Sequence, residues 1–207
     1  MNLPQTYAYL KRFKDILQKR AAFRKYFCTE VEEPQTGRKL LVPKAPFYSM
    51  YNIGPYTFAP FKVVWREVSL ELRVAVSEEI EDKHLGARTI IPDHTLIFIP
   101  FERREEAHYA CAVLNSSPSQ LIVKAYVALH PSPHVLEHIS LPKYDPDNSL
   151  HQELASLSQR AHELAASGQP IERIKPIEEE IDEKAAQLWG LTDEELAEIR
   201  RSLEELR

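Results

Sequence analysis

The sequence predicts an α+β protein in which a mixed, sheet-containing body begins with a basic helix and is followed by a helical appendage. Three observations predict it. Apolar residues recur at helical spacing from Leu3 to Ala21, runs rich in β-branched and aromatic residues dominate the middle of the chain, and Leu and Ile recur every third or fourth residue after Asn148. We therefore expect a body over residues 1–147 and a helical spacer or assembly region over residues 148–207.

The N-terminal part of the body is predicted to be one helix over residues 4–27, because Pro4 suits a first helical turn. Its outer faces are basic and carry Lys11, Arg12, Lys14, Lys19, Arg20, Arg24 and Lys25. A sheet is predicted next, from strand-like runs at 39–42, 56–58, 61–68, 70–76, 88–91 and 95–99.

Helices are predicted again after the sheet. One spans residues 102–114, in which His108 and Cys111 are expected at the core and at the edge of the buried face, and another runs over 117–129 from a Ser-Pro start. In the appendage, Gly168 and Gly190 end two further helices, and the capping box of Thr192 and Glu195 opens a third. The apolar seam of these helices fits packing within the chain or docking of a partner, including an oligomer formed through the helices.

Charge is distributed unevenly along the chain. The net charge is −5, but residues 1–73 carry +7, residues 74–150 carry −5 and residues 151–207 carry −7. Such a polarity allows one positive face to meet DNA while the acidic remainder stays solvated, although uneven surface solvation alone would also produce it.

Several function classes are excluded by what the sequence lacks. No apolar run approaches the roughly 20 residues of a membrane span, and the N-terminus has no signal-peptide pattern, so we expect a cytoplasmic protein without membrane contact. The two cysteines, Cys28 and Cys111, fit buried free thiols. The five glycines are isolated and no Pro-Pro pair occurs, which excludes a phosphate loop, an S-adenosylmethionine-binding turn and an amino-methylating loop. We predict no catalytic residue, no metal and no cofactor in this chain.

Two short patterns resemble metal sites but are interpreted as local structure. His134, Glu137 and His138 have the spacing of one zinc peptidase motif, but the surrounding prolines leave too little helix to present both imidazoles. Asp93 and Glu102 have the spacing of a magnesium nuclease pattern in which the expected lysine is replaced by arginine.

The segment 46–67 has the mixture of side chains that duplex DNA requires. Positive groups contact phosphates, and planar or amide groups reach base edges. In the predicted strand, Lys62, Val64 and Arg66 share one face, while Val63 and Trp65 lie on the other. Aromatic residues interleaved with charges are also typical of a sheet core.

Five sequence blocks in this order resemble the C-terminal specificity domain of type IIG and TaqI-like adenine-specific DNA methyltransferases, and the last block also resembles type I specificity subunits. The blocks comprise 64 residues distributed between positions 51 and 195. They are YNIGPYTFAPFKVVWRE at 51–67, IPDHTLIFIP at 91–100, EEAHYACAVLNS at 105–116, HISLPKYDP at 138–146 with His151, and IDEKAAQLWGLTDEE at 181–195.

The resemblance implies a target recognition domain of a restriction-modification system. Such a domain reads a short double-stranded DNA sequence and places one adenine in a neighbouring methyltransferase catalytic domain or subunit, which flips the base out and uses S-adenosylmethionine. The catalytic loop and the cofactor glycines of the family are absent here, so this chain would choose the site without performing the methylation.

The predicted DNA contacts fall into two groups. Phosphates would be held by the basic helix and the strand, and bases would be read from loops. The phosphate contacts are Lys11, Arg12, Lys19, Arg20, Lys62 and Arg66, and the base-reading residues are Arg38, Lys39, Lys44, Tyr48, Tyr51 and Asn52. The alternative is a protein-interaction module that docks a partner subunit through the helices of 148–207.

Overall fold

The computed structural model of the protein describes residues 3–126 and 133–206. The chain divides into two compact units, Met1–Gly54 and Pro55–Arg207. Helices outnumber short antiparallel strands in the described ranges, which confirms the predicted α+β class. The predicted boundary near residue 147 lies inside the second unit.

The first unit consists of short helices and one hairpin. Its elements are α1 (Pro4–Lys11), α2 (Lys14–Lys19), α3 (Ala21–Tyr26), β1 (Cys28–Glu32) and β2 (Lys39–Pro43). The two strands pair antiparallel.

The prediction of one continuous helix over residues 4–27 is wrong. The backbone leaves the helical conformation at Phe13 and again at Arg20, where ψ is 136°. Neither α1 nor α2 contains a buried residue, and Phe23 is the buried residue of α3. A long helix gains most of its stability from a buried face, so three short segments form here instead.

The second unit contains a three-stranded sheet and a separate ribbon. A 3-10 turn over Pro55–Phe58 replaces the strand predicted at 56–58, where prolines stand at positions 55 and 60. The strands are β3 (Phe61–Arg66), β4 (Ala75–Ser77), β5 (Ile80–Asp82), β6 (Gly86–Arg88) and β7 (Leu96–Phe101). The sheet has the order β4-β3-β7, and β5 and β6 pair only with each other as a ribbon.

One face of the sheet packs on α4 (Arg104–Asn115). Val63 and Trp65 are buried on this face, as the strand alternation predicted, and they meet Cys111 and Leu114 of the helix. The helix α5 (Ser117–Tyr126) adds Val123 to the same core. The predicted continuation of α5 to residue 129 lies outside the described residues.

The opposite face of α4 packs on two C-terminal helices. Tyr109 and Val113 of α4 share a second core with Leu154 of α6 (Ser149–Ala166) and Ile181 of α7 (Ile171–Leu188). The last helix is α8 (Asp193–Glu205), which contacts α5. The apolar seam of the appendage is therefore occupied within the chain.

The ends of the C-terminal helices agree with their sequence signals. Asn148 caps α6 by accepting a bond from the Leu150 N–H, and Gly168 follows the helix with a φ of 70°. Thr192 and Glu195 form the predicted capping box of α8. Within the described ranges, no helix has both the length and the apolarity that a membrane span requires.

Candidate DNA-binding interface

The boundary between the two units is also a boundary of charge. Residues 1–54 carry ten Lys and Arg against four Asp and Glu, a net charge of +6, whereas residues 55–207 carry 16 against 27, a net charge of −11. Ten of the twelve predicted DNA contacts belong to the first unit. This unit therefore concentrates the positive potential that attracts a polyanion.

Cations on the N-terminal helices are exposed and lie beside aromatic rings. Lys11, Arg12 and Lys19 are all exposed. The Arg12 guanidinium carbon lies 5.9 Å from the ring centres of both Tyr9 and Phe13. This arrangement leaves the guanidinium accessible to a phosphate while the rings restrict its position.

A second cation-aromatic group escaped the sequence prediction. The rings of Tyr26 and Tyr51 stack with centres 3.8 Å apart and an interplanar angle of 7°. The Lys25 ammonium lies 5.0 Å from the Tyr26 ring centre. Hydrogen bonding to Tyr51 and then to Lys25 lowers the pKa of Tyr26. Tyr51, one of the predicted base-reading residues, is thus held in place by a residue of α3. The helical pattern of the sequence did not predict this contact.

Arg20 has a structural position rather than the exposed one expected of a phosphate contact. Its Nε donates to the Leu17 carbonyl at 2.8 Å, and its Nη2 donates to the carbonyls of Ser49 at 2.8 Å and Phe47 at 3.3 Å. The guanidinium therefore joins the corner between α2 and α3 to the segment 46–49. We leave Arg20 out of the proposed interface.

The predicted base-reading loop is anchored by one aromatic residue. Phe47 is buried, and its ring contacts those of Tyr7 and Tyr48. Tyr48 and Tyr51 remain about half exposed. Asn52 has a φ of 58°, a left-handed conformation that asparagine adopts more readily than most residues. The loop thus presents tyrosines from a fixed backbone.

The three cations predicted to read bases, which lie in the hairpin and directly after it, are at the surface. Arg38 and Lys44 are exposed. Lys39 is also exposed and forms an ion pair with Glu30 across the strands, with 3.3 Å between Nζ and Oε2. Exposed pairs of this kind contribute little to stability, so a phosphate can replace the carboxylate at small cost.

A cleft in the first unit separates the helices from the hairpin. It encloses about 470 Å³ and is lined by Asp15, Gln18, Lys19, Phe23, Arg24, Cys28, Leu41 and Pro43. Cations stand at its polar side, and Leu41 and Pro43 supply apolar surface.

Lys62 does not have the exposed position predicted for a phosphate contact. Only 1% of the residue is exposed, and its Nζ donates to the Ala59 carbonyl at 2.6 Å. The ammonium also lies 5.9 Å from the Phe98 ring centre, and burial lowers the pKa of Lys62. The alternation of β3 is as predicted, but the face opposite α4 is covered at this residue. We therefore leave Lys62 out of the interface.

Arg66 remains exposed at the end of β3. It lines a cleft of about 440 Å³ with Glu67, Val68, His94, Thr95 and Leu96. Asp93 in the neighbouring turn accepts bonds from the hydroxyl and the N–H of Thr95, which lower the pKa of its carboxyl. Asp93 thus shapes a turn, as expected for local structure.

A buried polar network in the second unit has the composition of a nucleophile, a base and a carboxylate. The Ser158 Oγ lies 3.1 Å from Nδ1 of His108, whose Nε2 lies 3.2 Å from Oε1 of Glu78. Arg104 donates to the same carboxylate at 2.7 Å. Ser158 is buried within α6, where helical N–H groups bond within the helix and leave no oxyanion donors beside the hydroxyl. The network therefore joins secondary-structure elements.

Burial and bonding shift the pKa values of this network. Burial lowers the pKa of His108, although Glu78 opposes the shift. Burial alone would raise the pKa of Glu78, but the bonds from Arg104 and His108 bring it below its usual value. Burial also raises the pKa of the neighbouring Cys111 thiol to about 12. These shifts favour a neutral imidazole, a carboxylate and an unreactive thiol.

The zinc-like pattern forms a small exposed contact. His134 and Glu137 are exposed, and Nδ1 lies 2.9 Å from Oε1. His138 stacks on Tyr126. Across residues 3–126 and 133–206, no three His, Cys, Asp or Glu side chains come together as a metal site would require.

Comparison with known proteins adds no relative. No family model matches the chain, and no curated protein matches its sequence. The resemblance to methyltransferase specificity domains therefore depends on the five sequence blocks alone.

Proposed function

We propose that this chain is a sequence-specific double-stranded DNA recognition module of a restriction-modification system. It would direct an adenine-N6 methyltransferase catalytic domain or subunit, and an endonuclease where one is associated, to its target. S-adenosylmethionine would serve that catalytic partner. The observation that carries the DNA-binding part is the concentration of positive charge and exposed tyrosines in one compact unit. The restriction-modification part depends on the ordered sequence blocks.

The electrostatic part of the proposal has a matched test. In the full-length chain, Lys11→Gln, Lys19→Gln and Lys44→Gln together remove three exposed charges from the basic unit. The control, Arg160→Gln, Arg173→Gln and Lys175→Gln, removes three exposed charges from the acidic unit. Each lost phosphate contact reduces the slope of log affinity against log salt by roughly 0.9.

Binding to a random duplex is measured for both variants across a range of salt concentrations. We expect the first variant to bind more weakly and with a smaller salt slope than the wild type, and the control to keep the wild-type slope. Equal slopes in the two variants would contradict the assignment of the interface to the basic unit.

Protein docking is the second candidate function, and the hairpin of the first unit offers a more exposed apolar face for it than the C-terminal helices do. The helices of 148–206 bury their seam against α4, so their removal would expose a core rather than delete an independent module. In the hairpin, Val31, Leu40 and Val42 share one face and are nearly half exposed. Such an apolar face is typical of an interface.

Sedimentation of wild type and of the variant Val31→Ser with Leu40→Ser distinguishes the two candidates. If docking between chains is the function, the wild type associates, the variant does not, and neither binds duplex DNA. If DNA recognition is the function, both bind duplex DNA with the same salt slope.

A further inference from the structure

The ribbon of β5 and β6 is a solvent-exposed element of the second unit. It pairs Ile80–Asp82 with Gly86–Arg88 and is not part of the three-stranded sheet. Every residue from 79 to 88 is exposed except Asp82 and Gly86, which are half-buried. Ile80 and Leu85 are 52% and 61% exposed. An isolated two-stranded ribbon is marginal in water, so its exposed apolar residues indicate a contact surface.

The tip of the ribbon is held in one conformation. Asp82 Oδ1 accepts the N–H of His84 at 2.8 Å and the N–H of Leu85 at 2.9 Å. Gly86 follows with a φ of 70°, a left-handed conformation that glycine adopts without steric cost. At the base, the Thr89 hydroxyl donates to Glu79 Oε1 at 2.8 Å. A ribbon fixed in this way loses little conformational entropy on binding.

The basic side chains of the ribbon are exposed to solvent. Lys83 and His84 stand exposed at the tip. The carboxylate of Asp82 is turned toward the backbone of the tip, and that of Glu79 toward Thr89. In the register, Arg88 lies opposite Ile80 on one face, while Glu81 lies opposite Ala87 on the other. The tip therefore presents Lys83 and His84, and one face presents Ile80 and Arg88 beside Asp82, whose carboxylate is bonded to the backbone of the tip.

We propose that this ribbon enters the major groove of duplex DNA and reads bases, an inference that depends on the DNA-binding function proposed above. The major groove is about 12 Å wide and admits a two-stranded ribbon. Lys83 and His84 would contact the N7 and O6 acceptors of purines, Leu85 would contact a thymine methyl group, and Arg88 would contact a phosphate. The ribbon would thereby add base-specific contacts to those predicted for Tyr48, Tyr51 and Asn52.

The test compares sequence preference with general affinity in the full-length chain. The wild type and the variant Lys83→Ala with His84→Ala each select duplexes from a randomised pool, and their affinities for the wild-type-selected duplex and for a random duplex are measured. Circular dichroism and thermal melting check the fold, and Lys175→Ala with Arg173→Ala is the matched control. We expect the ribbon variant to lose about 5- to 150-fold in affinity for the selected duplex, the range for one base contact, with a much smaller loss on random DNA.

A modified duplex tests whether the ribbon contacts bases in the major groove. Replacing the purines of the selected site by 7-deaza analogues removes N7 acceptors from the major groove. The wild type should lose affinity for the modified duplex, whereas the ribbon variant should bind the modified and unmodified duplexes equally.

The outcomes separate the two proposals. If the wild type selects a motif and the ribbon variant selects the same motif with the same affinity, the ribbon proposal is overturned and the DNA-binding function stands. If the wild type binds DNA without any preference, the ribbon is not a reader. If the wild type binds no duplex DNA at low salt, both proposals fall.

Discussion

At the scale of single residues, burial decides which cations are available to a ligand. Lys62 and Arg20 were predicted as phosphate contacts on the basis of charge and position in the sequence. Their donors instead bond to backbone carbonyls of Ala59, Phe47 and Ser49. A sequence shows that a strand alternates, but it does not show that a lysine on the polar face will bond to a carbonyl three residues before it.

Substitution of Lys62 tests this interpretation. We expect Lys62→Ala to leave the salt slope of DNA binding unchanged and to lower the free energy of unfolding by about 1–3 kcal/mol, because it empties a buried site. Lys62→Met fills the same space without a charge and should cost less than Lys62→Ala. Urea unfolding and salt-dependent binding measure the two effects, and a reduced slope with Lys62→Met would restore Lys62 to the interface.

His108 predicts a dependence of stability on pH. Because burial lowers its pKa in the folded state, the unfolded chain binds the proton more readily. The stabilisation is complete above the ordinary histidine pKa of about 6.5 and is lost as pH falls from there toward the lower folded pKa. Protonation of Nδ1 would also remove the hydrogen bond that this atom accepts from Ser158. The imidazole lies beside Glu78, Arg104 and His162.

Thermal melting between pH 7.5 and pH 5, read as differences from pH 7.5, measures this dependence. The wild type should lose stability across this range, and His108→Gln should lose less over the same range even if it is less stable throughout. Parallel curves for the two proteins would show that His108 does not titrate in this way.

At the scale of elements, local signals predicted the C-terminal helices and failed at the N-terminus. Caps at Asn148 and Thr192 and glycines at 168 and 190 determine the ends of α6, α7 and α8, and the heptad seam determines their buried faces. The N-terminal pattern had helical spacing but no core to pack against, so it divided at Phe13 and Arg20. The strand β5, with the sequence Ile-Glu-Asp, was missed because a short exposed ribbon has no alternation to detect.

Arg20 is predicted to hold the elements of the first unit together. We expect Arg20→Lys to keep the charge but to lose the simultaneous bonds to the two loop carbonyls, because an ammonium cannot reproduce the planar fork. Amide hydrogen exchange should then accelerate at 46–51, while Lys19→Ala, an exposed neighbour, should leave it unchanged. Equal protection in Arg20→Lys would indicate that the loop is held by Phe47 alone.

At the scale of the whole molecule, the sequence predicted the uneven distribution of charge, but it did not predict the boundary between the compact basic unit and the acidic unit. The change of apolar pattern at Asn148 predicted a body ending near residue 147. In the structure, the two cores connect the sheet with the C-terminal helices through α4, and the compact basic unit ends at Gly54. Five of the twelve predicted contacts are loop residues that the structure leaves exposed, and the sequence pattern did not predict the ribbon.

Sequence-specific recognition of duplex DNA is tested by selection from a randomised duplex pool with the full-length chain, without cofactor and at moderate salt. We expect enrichment of a short motif, with binding that weakens as salt increases because the basic unit contacts phosphates. Absence of duplex binding at low salt, with the chain shown to be folded, would contradict it.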